Sequence, residues 1–226
     1  MFSQTFEDGI LTLTEFKIKT GHASQFEDGV KKWKECYNSN GGENTWGFWS
    51  RVQGEGRVYG ITSYMENWAA MDEEDASNSG CGVIVSDFIM PHIESVNYNI
   101  TTTLPDWSRK SMDKTGKLVW VTFFRVNDSR TFSRIVKDVT SVIAEKEGEP
   151  RGYWYAFMGG GEHDPDYMVS EMYPNYAALD ADEDGPFKMY EDAKGEKKAN
   201  AMMDEWDKAV DAVWSYIWEY NEELSN

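Results

Sequence analysis

An acidic segment in the last quarter of the chain has the spacing of a calcium-binding loop. Residues 180–185 read DADEDG, and Glu191 follows five residues after the glycine. In this pattern Asp180, Asp182, Asp184 and Glu191 supply carboxylate oxygens, and the glycine permits a sharp turn. Lys188, however, stands where an oxygen ligand or a water is expected, and acidic residues also favour helix N-termini for dipole reasons. Both a calcium site and an ordinary helix start therefore stay open.

Four residues are candidates for proton transfer. They are His22, His92, His163 and Glu171. Histidine changes charge near neutral pH, and a carboxylate in a pocket can act as a general base. His22 precedes a predicted helix and His163 lies in a predicted hairpin loop, so capping and solvation are the alternatives for these two rings.

Large aromatic side chains recur in both halves of the chain. Trp49 and Trp154 form one such pair, and Tyr59 and Tyr167 form another. Most residues of this kind belong to a core, but aromatic side chains that line a barrel interior can also hold a planar apolar ligand. They are our candidates for binding a small apolar or aromatic molecule.

These candidates are positioned by what we interpret as a tandem repeat. The phrase NWAAMD at residues 67–72 returns as NYAALD at residues 175–180, a shift of 175 − 67 = 108. A spacing near 100 residues is typical of two copies of a small domain. We therefore predict a first repeat over residues 1–108, a linker over 109–116 and a second repeat over 117–226.

The predicted order of elements in each repeat is β-α-β-β-α-β. Alternating and aromatic runs predict strands, and apolar residues at helical spacing predict helices with one buried face. The strands are predicted at 10–19, 45–53, 57–65, 96–103, 118–126, 151–158, 166–173 and 213–220. The helices are predicted at 23–37, 83–95, after Asp128 as N-cap, and from 186 to about 211. Because both faces of the strands carry large groups, we predict an α+β fold in which two four-stranded antiparallel sheets pack face to face as one barrel with helices outside.

Composition restricts the partners. Forty acidic and 22 basic residues give a net charge of −18, which repels phosphate backbones and anionic membranes. We expect no nucleic-acid partner and no membrane partner, and the oligomeric state stays open. The two cysteines, Cys36 and Cys81, have no metal-finger or disulfide-framework spacing, so we expect free thiols. The first residues lack the pattern of a signal peptide, which predicts a cytoplasmic protein.

The order of elements resembles the dimeric α/β-barrel superfamily with a ferredoxin-like protomer. The resemblance is carried by that order, by residues 19–22 (KTGH) at the entrance to the first helix and by residues 216–220 (YIWEY) at the end of the last strand. Members include antibiotic-biosynthesis-type monooxygenases, haem-degrading enzymes, lactone isomerases and stress-response barrel proteins. The resemblance implies that the usual two-chain barrel is formed within one chain.

Three functions follow as hypotheses. The leading one is a barrel that binds a small apolar or aromatic molecule, as a monooxygenase or isomerase that requires no cofactor. The alternative is a non-catalytic structural or interaction protein, with calcium at residues 180–191. The resemblance also suggests haem, with His92 as ligand and Phe88 four residues earlier, but Pro91 disturbs the helix at that point and argues against it.

Overall fold

The structure is a computed structural model, and it describes residues 5–112, 116–181 and 183–226. The fold is α+β. The strands are β1 (Ile10–Ile18), β2 (Gly47–Arg51), β3 (Arg57–Met65), β4 (Ile93–Thr103), β5 (Leu118–Val126), β6 (Tyr153–Phe157), β7 (Tyr167–Tyr173) and β8 (Val210–Tyr220). The helices are α1 (Ala23–Ser39), α2 (Gly82–Ile84), α3 (Ser129–Glu147), α4 (Pro186–Lys194) and α5 (Glu196–Ala209).

The eight strands form a closed barrel. Their hydrogen-bonded order is β1-β3-β2-β8-β5-β7-β6-β4, and the pairs β1–β3, β2–β3, β2–β8, β5–β7 and β6–β7 are antiparallel. Read around the ring, this order contains β4-β1-β3-β2 followed by β8-β5-β7-β6, the same arrangement from each half of the sequence. The predicted fold class, an α+β closed antiparallel barrel with helices, is confirmed.

The helical segment before β4 differs from its prediction. Instead of one helix over 83–95, the chain forms the single turn α2, a π-helical stretch Val85–Ile89 and a 3-10 turn Met90–His92. Pro91 has no N–H to donate to the preceding turn, so the helix cannot continue through it. Strand β4 therefore begins at Ile93, three residues before the predicted start.

Two compact units divide the chain, and each is described by itself. The larger unit comprises Met1–Asp8 and Thr102–Tyr216, and the smaller unit comprises Gly9–Thr101 and Ile217–Asn226. The predicted boundaries at 108 and 117 stay a prediction, and residues 113–115 of the predicted linker lie outside the described residues.

In the larger unit, helix α3 buries one face, as the apolar residues at helical spacing predict. Phe132, Val136, Val139 and Ile143 are all buried. The helix begins where predicted, because the Asp128 carboxylate accepts hydrogen bonds from the backbone N–H groups of Arg130 and Thr131. It ends at Gly148, whose positive φ of 98° suits a glycine at a helix C-terminus.

Removal of the α3 cap is expected to destabilise the protein. The Thr131 hydroxyl and backbone N–H lower the pKa of Asp128, so its contribution to stability is present at neutral pH and is lost as pH falls through the lowered pKa. Asp128→Ala should therefore lower the melting temperature by a few degrees at pH 7 and by less at pH 3. Asp128→Asn, which keeps an oxygen acceptor, is the control and should retain most of the stability. Equal melting temperatures for all three proteins at pH 7 would contradict this role.

In the smaller unit, aromatic rings fill the space between α1 and the sheet. Phe26 stacks on Tyr59 at 5.1 Å between centroids and also contacts Phe48. The Trp46 indole N–H donates to the carbonyl of Leu224 at 2.9 Å, which attaches the C-terminal segment to this core. All five of these side chains are buried.

The two cysteines are joined in a disulfide, so the prediction of free thiols is wrong. Cys36 lies near the end of α1, and Cys81 comes directly before α2. Sequence spacing gave no sign of the bond because the two cysteines, 45 positions apart, are brought together only by the fold. Disulfides are rare in reducing compartments, and the bond therefore does not support the cytoplasmic location, which stays a prediction.

Among the described residues, no helix has both the length and the apolar character needed to cross a membrane.

Candidate functional site

A cavity of about 580 Å³ lies between the sheet and the helices of the larger unit. This volume is within the range of small-molecule sites. Its wall comes from β5, β6, β7 and the start of β8 on one side and from α3, α4 and α5 on the other. The lining residues are Trp120, Thr122, Phe124, Ile135, Val136, Val139, Thr140, Ile143, Arg151, Gly152, Trp154, Val169, Glu171, Tyr173, Pro186, Phe187, Trp206 and Val213.

Most of the wall is apolar, because the spacing of residues along the strands and along α3 places apolar side chains on the side that borders the cavity. Side chains alternate across a strand, so Trp120, Thr122 and Phe124 of β5 all face the helices. On α3, Val139 and Ile143 are one helical turn apart and turn the same face to the cavity. A planar apolar molecule would thus lie between aromatic rings and aliphatic side chains.

The polar end of the cavity is formed by two side chains of β7. The hydroxyl of Tyr173 donates a hydrogen bond to Oε2 of Glu171 at 3.0 Å. Burial raises the pKa of the Glu171 carboxyl, and burial together with the neighbouring Glu171 charge raises the pKa of Tyr173. A carboxyl whose pKa is raised by burial can exchange a proton with a bound molecule.

Arg151 closes this end and is already paired. Its Nε donates to Oε2 of Glu147 at 2.9 Å, and its Nη1 donates to the backbone carbonyl of Asp184 at 2.9 Å. A second carboxylate, that of Glu183, lies 3.7 Å from Nη1. The guanidinium therefore holds the end of α3 to the segment before α4, and its charge is balanced by these glutamates.

A second, polar cavity of about 480 Å³ adjoins the first. Arg151, Glu171 and Tyr173 line both cavities. The other residues around it are Arg109, Glu147, Glu149, Pro150, Met172, Ala178, Ala181 and Glu183. An apolar chamber and a polar chamber thus meet at the Glu171–Tyr173 pair.

The buried charge of Glu171 is expected to reduce stability. Because burial raises its folded-state pKa above 4.5, ionisation of Glu171 opposes folding, and the cost appears as pH rises through that raised pKa. Glu171→Gln, which can still accept the Tyr173 hydrogen bond, should raise the melting temperature by a few degrees at pH 8. The difference should vanish near pH 4. A Glu171→Gln protein that melts below the unchanged protein at pH 8 would contradict this expectation.

The four predicted aromatic residues do not share one surface. Trp154 lines the cavity of the larger unit. Tyr167 stacks on Phe132 at 4.8 Å, and Tyr59 is fully buried against α1 of the smaller unit. The Trp49 indole donates to Thr62 Oγ1 at 3.0 Å and lies edge-on to Tyr220. Ligand binding by Trp49, Tyr59 and Tyr167 stays a prediction.

The histidines lie away from this cavity. His22 and His92 are neighbours in the smaller unit, with 2.9 Å between their Nδ1 atoms, a contact that sequence reasoning did not foresee. The backbone carbonyl of His92 accepts from the N–H of Lys19, which fixes this turn. His163 is exposed in the loop between β6 and β7. Their catalytic roles stay predictions.

The calcium loop also stays a prediction. Asp182 lies outside the described residues, and among those described no group of three or more His, Cys, Asp or Glu side chains could hold a metal ion. Asp184 is paired with Lys146 at 3.3 Å, and Glu191 is part of helix α4. If the loop binds calcium, millimolar calcium should raise the melting temperature of the unchanged protein but not that of an Asp182→Ala variant.

Sequence reasoning missed the feature that creates the cavity. The sequences of α1 and α3 align when they are shifted by 132 − 26 = 106 residues. In this alignment Trp33 corresponds to Val139, and Tyr37 corresponds to Ile143. Strands β2 and β6 share that shift, 153 − 47 = 106, so Trp46 corresponds to Gly152. In the smaller unit, Trp33 packs on Trp46 at 4.9 Å and on Tyr37 at 5.8 Å. In the larger unit, three smaller residues leave that space open.

Comparisons with known proteins give the fold. No family model and no curated protein matches the chain. Solved structures do match it. A proposed monooxygenase from Fusobacterium nucleatum has a TM-score of 0.58 at 11% identity, covering 95% of this chain and 93% of that chain. An anthrone oxidase-like protein has a TM-score of 0.55 at 9% identity, covering 98% and 94%. A mutant chlorite dismutase from Candidatus Nitrospira defluvii has a TM-score of 0.55 at 7% identity, covering 99% and 94%.

Proposed function

We propose that the protein binds a small, largely apolar or aromatic molecule in the cavity of the larger unit. We further propose that it transforms that molecule by proton transfer through Glu171, as a monooxygenase or isomerase that requires no added cofactor. The observation that carries the proposal is the juxtaposition of an apolar chamber of about 580 Å³ with a buried carboxyl at its polar end.

The roles of the lining residues follow from their chemistry. Trp120, Trp154 and Phe124 offer ring faces for stacking against a flat ligand. Glu171 accepts a proton from the donor group of that ligand, and the Tyr173 hydroxyl stabilises the carboxylate by its hydrogen bond. The monooxygenases among the solved structures of this fold agree with such chemistry, although their likeness supports the fold alone.

Haem does not fit this cavity. Haem iron is held by His, Cys, Met or Tyr, and of these Tyr173 alone is among the residues that line it; its hydroxyl is engaged with Glu171. His92, the histidine that the family resemblance suggested as ligand, contacts His22 in the smaller unit instead. The proposal therefore contains no step that involves haem.

The test begins with whatever the protein carries from the cell. Native mass spectrometry and an absorbance scan of the purified protein should identify a bound organic molecule. Oxygen uptake and product formation with that compound, in the presence of a chelator and without added cofactor, would then report activity. Glu171→Gln should reduce the rate by about 100-fold or more, the size expected for loss of a general base.

Two outcomes would count against this function. If neither the co-purified material nor a library of aromatic compounds binds, the cavity is not a ligand site. If a compound binds and is converted at equal rates by the unchanged protein and by Glu171→Gln, the chemistry does not depend on Glu171.

A further inference from the structure

We infer that the ligand of this cavity is amphipathic and cationic, with an aromatic or aliphatic body in the apolar chamber and an ammonium group at the carboxylate of Glu171. This inference rests on the proposed function and adds the substrate class to it. It depends on the charges around the polar chamber, all of which belong to the larger unit.

The charged residues of the polar chamber leave a negative excess. Four glutamates and two arginines line it, so full ionisation gives a charge of 2 − 4 = −2. Both arginines have carboxylate partners. Arg109 pairs with Glu149 at 2.8 Å, and Arg151 pairs with Glu147. A carboxylate or phosphate on the ligand would thus meet cations that are already neutralised, next to additional negative charge.

Glu171 is the acceptor that a cationic group would reach. It lines both chambers, and the hydrogen bond described for it comes from the neutral hydroxyl of Tyr173. Carboxylate oxygens can accept further hydrogen bonds, and an ammonium group offers three donors. An ion pair at this position would also offset the burial that raises the pKa of Glu171.

The apolar chamber suits the remainder of such a molecule. Trp120 lies directly opposite Glu171 on the neighbouring strand, so an ammonium at the carboxylate also lies near an aromatic ring. Aromatic faces attract cations in partly desolvated sites. The net charge of the chain, −18, further favours the approach of cations over anions.

The experiment uses three ligands with one apolar body: biphenylmethylamine, biphenylmethanol and biphenyl carboxylate, each para-substituted. Isothermal titration calorimetry at pH 7 measures the Kd of each for the unchanged protein, for Glu171→Gln and for Val139→Trp. The ammonium compound should bind about tenfold tighter than the alcohol, as expected for a charge-assisted hydrogen bond, and the carboxylate should bind most weakly. Glu171→Gln should bring the ammonium-to-alcohol ratio close to one, and Val139→Trp should weaken all three.

The outcomes separate this inference from the function on which it rests. If the alcohol or the carboxylate binds as tightly as the ammonium compound, and Val139→Trp weakens them, the cavity is a ligand site but the cationic class is wrong. A preference for the ammonium compound that persists in Glu171→Gln also overturns it. If none of the three compounds binds, or if Val139→Trp changes no Kd, the proposed binding site fails and the inference fails with it.

Discussion

A protein that carries Val139→Trp together with Ile143→Tyr is expected to lose ligand binding, with a Kd raised about 100-fold or more. The two substitutions copy Trp33 and Tyr37, the residues at the matching positions of α1. In the smaller unit those rings pack against each other and against Trp46. Rings of that size on α3 would occupy the volume that a ligand needs.

The melting temperature of the same double variant is a second, independent measurement. A cavity filled by apolar rings gains van der Waals contacts, so the melting temperature should stay within a few degrees of the original or rise. A large fall would mean that the chamber cannot take the rings, and the single variant Val139→Trp then supplies the binding test. Binding is measured with biphenylmethylamine and with any compound that co-purifies.

Ser141→Trp is the matched control. Ser141 lies on the same helix but is exposed, so a tryptophan there adds an aromatic ring to α3 outside the cavity. It should leave every Kd unchanged. If Ser141→Trp weakens binding as much as the double variant does, the effect comes from α3 as a whole and not from the volume of the chamber.

Sequence reasoning predicted the fold well because the relevant patterns are local. A run of aromatic and β-branched residues gave the bounds of β3 correctly, the match to the first strand gave those of β5, and helical spacing gave the buried face of α3. The repeated order of elements then predicted the closed barrel, which is confirmed. The helix predicted over residues 83–95 was wrong, because the chain there forms three short helical segments of different types and Pro91 lies in the last of them.

The site was only partly predictable. Glu171 and Trp154 were named as candidates, and both line the cavity. Tyr173 was not, because its role depends on the distance between its hydroxyl and Glu171. The cavity itself was missed because the shift of 108 that aligns β1 with β5 does not align the helices. The connection from β1 to α1 has four residues (19–22), whereas the connection from β5 to α3 has two (127–128). The helices therefore align at a shift of 106 instead of 108. Only an alignment at that shift pairs Val139 and Ile143 with the larger residues Trp33 and Tyr37 of α1.

Removal of the Cys36–Cys81 disulfide is expected to lower the stability of the protein strongly. Reduction, or the double variant Cys36→Ala/Cys81→Ala, should lower the free energy of unfolding by about 4 kcal/mol, the loop-closure value for a bond that spans 45 residues. For a chain of this size the melting temperature should fall by about 10 °C. Differential scanning calorimetry with and without dithiothreitol measures the change, and mass spectrometry confirms that the bond is reduced.

The contacts around the disulfide explain why its reduction should also loosen the segment before α2. Cys81 is fully buried, and Asn40 donates to the carbonyls of Ser77 and Ser79, so the disulfide holds the segment before α2 on the end of α1. The Tyr37 hydroxyl reaches Asp75 of the same segment at 2.8 Å. Hydrogen exchange should therefore increase first in residues 75–82 after reduction. The alanine double variant, which has no thiols, should not respond to dithiothreitol. An unchanged melting temperature in protein shown to be reduced would mean that these hydrogen bonds alone hold the segment, and that the bond contributes little to stability.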